Sequence, residues 1–260
     1  MQKTQKKSKD METTVPVSVE RFWHLYPDQL QFYRDNGFLV VEKLFSQEEC
    51  DAILDVLLKN ADKNYAALIQ PHLDLPEKKD RDAIFAVMKD KRVVDILEQL
   101  QGSEIDGLMT QMLFKWPGSP YAAQAWSPHQ DNSYPQAAGD SFITINLSLA
   151  DADKENGCLY LYSGSHKEGL LPFTPRPSFR EKPGTNPGNT VLLPAKHKGK
   201  ESTVYVKKGG MLILNGNVVH GSYPNLTKDR PRPIMQITYL NKGVEFIPGK
   251  NAKRERVPLR

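Results

Sequence analysis

Apolar positions in the first hundred residues recur every three or four residues, which is the period of an amphipathic helix. Ser46 opens one such stripe with a capping box. A second stripe runs from Asp80 to Leu100, and Gly102 supplies a stop signal. The sequence therefore predicts a mainly helical region over residues 27–102, interrupted by one strand from Phe38 to Val41.

Beyond residue 102 the pattern changes to short apolar runs separated by Gly, Pro, Asn and Asp, which is typical of a β-sandwich or barrel. The predicted strands are Leu108 to Lys115, Ser141 to Leu149, Cys158 to Tyr162, Val204 to Val206, Met211 to Leu214 and Ile234 to Leu240. We therefore predict one domain over residues 19–245, mainly β with flanking helices, whose β core spans residues 107–241.

The run from Phe142 to Leu149 alternates with a period of two, so its isoleucines and leucines share one face. Thr144, Asn146 and Ser148 share the other face. A solvent-facing surface would explain this polar row. The interpretation that we prefer is a ligand cavity inside a double-sheet jelly roll, a cupin-like fold that places metal sites in its mouth.

Composition excludes several classes of protein. The chain has 260 residues, a net charge of +4 and two cysteines, Cys50 and Cys158, for which buried reduced thiols are expected. No apolar run approaches a membrane span or a signal peptide, so a cytoplasmic protein is predicted. Much of the positive charge lies in a predicted disordered leader, residues 1–18, and a basic tail, residues 246–260. A nucleic-acid groove is therefore not indicated, and the sequence leaves the oligomeric state open.

The segment 170–203 is rich in proline and in positive charge. Long irregular segments in compact domains are usually functional or disordered, so we interpret it as a lid loop, with a plain surface insertion as the alternative. Its charge favours a substrate with a carboxylate or phosphate. The basic residues are Arg176, Arg180, Lys182, Lys196, Lys198 and Lys200.

His129 and Asp131 are separated by one residue, so in an extended strand or at its end both side chains point to one side. His220 follows a strand-like run, Met211 to Leu214, and we predict it as the third ligand of a metal ion. Two histidines and one carboxylate on one face of a metal leave the other positions open, as in non-haem Fe(II) oxygenases. His-x-Asp alone is weak evidence, because a surface pair arises by chance.

The joint pattern of motifs is more specific. Over residues 29–239 the chain resembles the phytanoyl-CoA dioxygenase family of Fe(II)- and 2-oxoglutarate-dependent oxygenases. The motifs that carry the resemblance, besides His129-Gln130-Asp131, are Met112 to Gly118, Glu155 to Leu159, Ser163 to Lys167, Lys208 to Met211, His220 to Ser222, Asn225, and Arg230 to Arg232.

The resemblance implies a double-stranded β-helix, Fe(II) held by His129, Asp131 and His220, and 2-oxoglutarate and dioxygen as cosubstrates. It also implies an arginine beyond the distal histidine that binds the far carboxylate of 2-oxoglutarate. The planar guanidinium group can form two parallel hydrogen bonds to a carboxylate. Arg230 and Arg232 compete for this role. We predict Arg232, because it lies an even number of residues before Ile234, Gln236 and Thr238 and therefore shares their face of the following strand.

The resemblance also implies cosubstrate contacts from Ser222 and Lys115, and we predict two more from the polar row, Thr144 and Asn146. The resemblance implies a structural role for His166, since a fourth ligand would close the metal site. The remaining histidines are expected at the surface: His24, His72 and His197.

The expected reaction is hydroxylation of a small-molecule substrate with release of succinate and CO2; desaturation and ring formation stay open. Asp131 disfavours halogenation, because halogenases of this kind replace that carboxylate with a small residue. Two other functions are considered. One is a cupin-like metal hydrolase or isomerase that does not use 2-oxoglutarate, and the other is a ligand-binding pseudoenzyme.

Overall fold

A computed structural model describes residues 23–61, 67–119, 122, 125–175, 189–249 and 253–260. Its helices are α1 (Pro27–Asn36), α2 (Gln47–Lys59), α3 (Pro71–Asp74), α4 (Lys78–Met88) and α5 (Lys91–Gln101). Its strands are β1 (Phe38–Val41), β2 (Ala67–Ile69), β3 (Ile105–Leu113), β4 (Trp126–His129), β5 (Phe142–Ser148), β6 (Leu159–Leu161), β7 (Phe173–Thr174), β8 (Thr190–Val191), β9 (Ser202–Thr203), β10 (Met211–Asn215), β11 (His220–Ser222), β12 (Ile234–Asn241) and β13 (Val257–Pro258). The predicted leader lies outside the described residues.

Local signals in the sequence set the helix boundaries. The Ser46 hydroxyl accepts from the Glu49 amide, and the Glu49 carboxylate accepts in return from the Ser46 amide, so the predicted capping box is present. Gly37 and Gly102 end α1 and α5 in the left-handed conformation. The stripe predicted as one segment, Asp80 to Leu100, is two helices, because the Asp90 side chain caps a new helix at the Arg92 amide.

Two antiparallel sheets face each other and form the predicted double-stranded β-helix, or jelly roll. The major sheet has the strand order β1-β10-β5-β12-β3-β13, and β2 pairs with β3 as well. The minor sheet has the order β7-β8-β4-β11-β6-β9. Most neighbouring strands are therefore distant in sequence, and the site residues in β4 and β11 are brought together in this way.

The alternation in β5 separates the two faces of the major sheet. Ile143, Ile145 and Leu147 lie in the large apolar core that also contains residues of α2, α4 and α5. The polar row Thr144, Asn146 and Ser148 is buried on the side facing the minor sheet. Asn146 and Ser148 line a small cavity there, so the solvent-facing interpretation of this row is wrong.

Two sequence predictions require correction. The segment predicted as an irregular lid contains β7, β8 and β9, which belong to the minor sheet, while residues 176–188 lie outside the described residues. The predicted basic tail contains β13, which pairs with β3, so a solvated tail is wrong for residues 253–260.

Cys50 and Cys158 are free and buried, as predicted. Among the helices of the described residues, none combines the length and apolar character needed to cross a membrane.

Candidate active site

The three predicted metal ligands lie together between the sheets. His129 and His220 are directly opposite each other in β4 and β11, with ring centroids 4.4 Å apart. Asp131 begins the 3-10 turn that follows β4. Its Oδ1 is 3.5 Å from His129 Nε2 and 3.7 Å from His220 Nε2. The spacing of two residues therefore brings the carboxylate to the same side as the imidazole, as the alternation predicts.

The donor atoms suit a divalent metal. His129 Nδ1 donates to the carbonyl of Ser127 at 2.7 Å, and His220 Nδ1 donates to the carbonyl of Val218 at 3.1 Å. Each ring therefore presents an unprotonated Nε2 towards Asp131. One ligand atom from each of the three residues lies within 4.8 Å of the others, and all three side chains are buried. Fe(II) fits this set of two imidazoles and one carboxylate.

Electrostatics keeps the ligands in their metal-binding forms. Burial alone would raise the pKa of the Asp131 carboxyl, but the neighbouring His220 and His129 rings and the Thr144 hydroxyl outweigh burial and lower it. Burial lowers the pKa of His220 from 6.5 to about 4, with a further reduction from His129, against an opposing effect of Asp131. His220 is therefore neutral near pH 7, as a metal ligand must be.

The pKa of His220 predicts how the stability of the metal-free protein depends on pH. Between pH 6.5 and pH 4 the unfolded chain binds a proton at His220 that the folded chain excludes, so the free energy of unfolding falls as the pH falls. The expected loss from this residue across the window is about 3 kcal/mol. Denaturant unfolding at several pH values checks it, with His220→Gln as the comparison; parallel pH profiles of the two proteins would contradict it.

The residues between and beside the ligands fix their positions. Gln130 points away from the metal side, donating to the Gly169 and Asn217 carbonyls at 2.8 and 2.6 Å and accepting from the Leu171 amide at 2.8 Å. Asn132 donates to Asn217 Oδ1 at 2.9 Å. These bonds tie the turn after β4 to the turn before β11. This role could not be predicted from the sequence, because no local pattern distinguishes a buried glutamine or asparagine in a turn from an exposed one.

A second buried polar region lies beside β11. Lys115 Nζ donates to the Ser222 hydroxyl at 2.9 Å and to the Tyr223 carbonyl. Arg232 is 2% exposed, and its backbone amide donates to the Lys115 carbonyl at 3.3 Å. Burial lowers the pKa of Lys115 well below its ordinary value, and the Arg232 charge acts in the same direction. Three of the predicted cosubstrate contacts, Lys115, Ser222 and Arg232, are therefore brought together.

Arg230 occupies a different environment from Arg232. Its side chain is 41% exposed and forms ion pairs with Asp153 and Glu155, the latter at 2.7 Å. Asn225 Nδ2 donates to the carbonyls of both Lys115 and Arg230, at 2.7 and 2.8 Å. This asparagine therefore fixes the turn that directs Arg230 outward and buries Arg232.

The other two predicted contacts, Thr144 and Asn146, lie on the inner face of the major sheet. Asn146 Oδ1 accepts from Gln236 at 3.3 Å. Within the described residues, Asn146 Nδ2 and the hydroxyl of Thr238 are buried without a hydrogen-bond partner. Thr144 is close enough to Asp131 to lower the pKa of its carboxyl. Buried donors left unsatisfied in this way favour a cavity that receives a polar ligand.

Gly157 is placed where a side chain would disturb Lys115. Its φ is +92°, and a Cβ would lie 2.8 Å from the Tyr223 carbonyl oxygen and 3.0 Å from Lys115 Cδ. Gly157→Ala should therefore destabilise the fold by about 1–3 kcal/mol or more. If Lys115 is the cosubstrate contact that the resemblance implies, the variant should also bind 2-oxoglutarate more weakly.

Gly118 is a matched control for Gly157, because its φ is +76° but a Cβ there would meet no atom within 4 Å. Gly118→Ala should carry the backbone strain without the steric contact. Thermal unfolding and 2-oxoglutarate titration of both variants measure the two effects. Equal cosubstrate affinities in the two variants would contradict the role assigned to Gly157.

The remaining histidines lie outside the group of three ligands. His166 Nε2 donates to the Arg34 carbonyl at 3.0 Å at the end of α1, which supports the structural role implied by the resemblance. His24 is exposed, as predicted. His72 is buried, with Nδ1 2.7 Å from the Thr110 hydroxyl, so its prediction as a surface residue is wrong. His197 is mostly buried as well and lies 3.4 Å from Glu168.

Comparison with known proteins assigns the family. The family model for phytanoyl-CoA dioxygenase (PhyH) matches residues 33–234. The chain belongs to the phytanoyl-CoA dioxygenase family. It is thus an oxygenase that depends on Fe(II), 2-oxoglutarate and dioxygen.

Several known proteins are similar to most of the chain. It is 26% identical to phytanoyl-CoA dioxygenase domain-containing protein 1 of Danio rerio, covering 81% of this chain and 88% of the relative. It is 25% identical to ectoine dioxygenase of Bordetella bronchiseptica, covering 78% and 71%. The crystal structure of the non-haem alpha ketoglutarate dependent carbocyclase SnoK from nogalamycin biosynthesis superposes with a TM-score of 0.69 at 18% identity, covering 91% and 95%, which shows a shared fold.

Proposed function

We propose that this oxygenase hydroxylates a carbon of a small-molecule substrate, with His129, Asp131 and His220 holding Fe(II). The observation that carries the proposal is the buried convergence of two Nε2 atoms and one carboxylate within 4.8 Å. Bound Fe(II) supplies the oxidation chemistry with dioxygen. One oxygen atom enters the substrate C–H bond, and the other enters succinate as 2-oxoglutarate loses CO2.

The residues of the chain orient the reactants and keep the site dry. Hydrogen bonds from Nδ1 to strand carbonyls hold both imidazole rings, so each Nε2 is directed at the metal position. Arg232 is proposed to bind the far carboxylate of 2-oxoglutarate through two parallel hydrogen bonds. Lys115 and Ser222 lie beside it and offer an amine and a hydroxyl as further hydrogen-bonding groups. Asn146 is proposed as a further polar contact.

Asp131 supports hydroxylation over halogenation, because its carboxylate occupies the ligand position that a halide would need. Ring formation is the second candidate, favoured by the fold shared with a protein named as a carbocyclase. A hydrolase or isomerase that uses the same ligands without 2-oxoglutarate is disfavoured by family membership, as is a ligand-binding pseudoenzyme.

Succinate release from 2-oxoglutarate across a panel of metabolites tests the proposal. A substrate should stimulate succinate release above the background of uncoupled turnover. Mass spectrometry of the product then separates the reactions: hydroxylation adds one oxygen atom, whereas ring formation or desaturation removes two hydrogen atoms. An unstimulated background throughout, with no visible absorption band when anaerobic 2-oxoglutarate is added to the Fe(II) protein, would contradict the proposal.

We also propose that the substrate carries an anionic group and that the protein acts in the cytoplasm. The positive charge of the 170–203 segment supports the first proposal. Within this segment, Lys196 forms an ion pair with Glu168. Arg176 and Arg180 lie outside the described residues. Two buried free thiols support the second.

A further inference from the structure

Three side-chain amides form a row across the inner face of the major sheet. Gln111 in β3 lies directly opposite Gln236 in β12, which in turn lies directly opposite Asn146 in β5. Ile145 and Ile237, their neighbours along the strands, lie in the apolar core on the other side of the sheet. Because side chains alternate between the two faces, the three amides are turned towards the minor sheet.

Hydrogen bonds link the three amides in one direction. Gln111 Nε2 donates to Gln236 Oε1, and Gln236 Nε2 donates to Asn146 Oδ1 at 3.3 Å. Each amide has an oxygen that accepts and a nitrogen that donates, so the bond on one side decides how the next amide is turned. This direction leaves Asn146 Nδ2 as the terminal donor of the row.

The terminal donor is buried beside a cavity. Asn146 is 2% exposed, and within the part of the chain that the structure describes no atom accepts from its Nδ2. Asn146 and Ile234 line the small cavity between the sheets, and Arg232 lies two residues before Ile234. A buried amide donor normally has a partner, because an unsatisfied one destabilises the fold. The position of this donor therefore suits an oxygen atom of a ligand in the cavity.

We propose that Gln111 and Gln236 are positioning residues, which orient the Asn146 amide so that Nδ2 donates to an oxygen atom of 2-oxoglutarate. The inference rests on the proposed function, in which Asn146 is a contact of the cosubstrate. Neither glutamine touches the cosubstrate, since each acts through the next amide in the row. Without the row, the Asn146 side chain is free to turn over and present Oδ1, which repels a carboxylate or keto oxygen.

Reversing the direction of the row tests the proposal. Gln111→Glu has nearly the same shape, but its carboxylate only accepts, so Gln236 must donate to it and Asn146 must donate to Gln236. Asn146 then presents Oδ1 to the cosubstrate, and binding of 2-oxoglutarate should weaken roughly 10–100-fold. Gln111→Met imposes no direction and should weaken binding less. The measurement is a calorimetric titration of the Fe(II) protein with 2-oxoglutarate in the absence of oxygen.

A double variant separates the row from a simple effect of the new charge. Gln236→Met interrupts the row, so adding Gln111→Glu to it should not weaken 2-oxoglutarate binding further, although the new carboxylate is still present. An effect of charge or local distortion at position 111 would instead give the same loss with and without Gln236→Met. That result would overturn the proposal, as would equal affinities of wild type and Gln111→Glu.

If Gln236→Met fails to fold, the comparison of Gln111→Glu with Gln111→Met at high salt decides. Gln111 is partly exposed, so a direct effect of the new charge is screened by salt, whereas the reversal of the buried row persists. Loss of the difference at high salt would overturn the proposal. Failure of the proposed function would be seen separately in wild type, as absence of both 2-oxoglutarate binding and succinate release.

Discussion

Replacing His220 with alanine should abolish both iron binding and succinate release. His220 contributes one of three ligand atoms, and its neutral Nε2 is directed at the metal position by the bond to the Val218 carbonyl. Loss of a residue that merely supports a ligand typically costs 10–100-fold in metal affinity, so loss of a ligand should cost more than about 100-fold. His129→Ala should have the same effect. Iron content after dialysis and the anaerobic visible band with 2-oxoglutarate are the measurements.

His197→Ala is the matched control, because this histidine bonds to Glu168 outside the group of ligands. It should keep full iron occupancy and activity. If either ligand variant also kept full iron occupancy and activity, that residue would have to be removed from the proposed metal site.

Replacing Arg232 with alanine should raise the concentration of 2-oxoglutarate needed for half-maximal turnover by roughly 10–1,000-fold. With Arg232 as the proposed partner of the far carboxylate of 2-oxoglutarate, the variant would lose a charge-assisted bidentate contact and leave that buried carboxylate without its partner. Arg232→Lys should raise this concentration by an intermediate factor, because a lysine ammonium keeps the positive charge but cannot form the two parallel hydrogen bonds of a guanidinium. The measurements are cosubstrate titrations of succinate release and of the anaerobic visible band.

Arg230→Ala provides the control, since it removes an arginine two residues away in the same turn. That change breaks only the partly exposed pairs with Asp153 and Glu155 and should alter the cosubstrate requirement little. A larger effect for Arg230→Ala than for Arg232→Ala would show that the wrong arginine has been assigned.

Much of the site could be predicted from the sequence, because side chains alternate between the two faces of an extended strand and residue spacing alone shows which of them share a face. The spacing of His129 and Asp131 fixes a shared side, and the parity of Arg232 with β12 predicts its burial. Residue type and order then suffice to propose a ligand set. The pairing of β4 with β11, which actually joins the histidines, comes from the jelly-roll topology implied by the family resemblance.

Other features could not be predicted, because tertiary contacts decide them. β4 contains Pro128, which weakens any strand pattern, and pairing with β11 and β8 stabilises it nonetheless. Asp90 splits a continuous apolar stripe by capping a new helix. The basic run at the C-terminus has the composition of a solvated tail. Its place in the fold depends on pairing with β3 and on ion pairs with Asp106, Asp95 and Glu98, which its own sequence does not encode.

The strand order of the major sheet has a consequence for synthesis on the ribosome. β1 pairs with β10, and β3 pairs with β12 and β13. Neither β1 nor β3 can form these pairs until residues from the last fifty of the sequence have been synthesised. The early helices meanwhile expose the apolar stripes that later cover this sheet. Folding is consequently late and dominated by long-range pairing, and chains released before β12 is complete carry unpaired edges prone to aggregation.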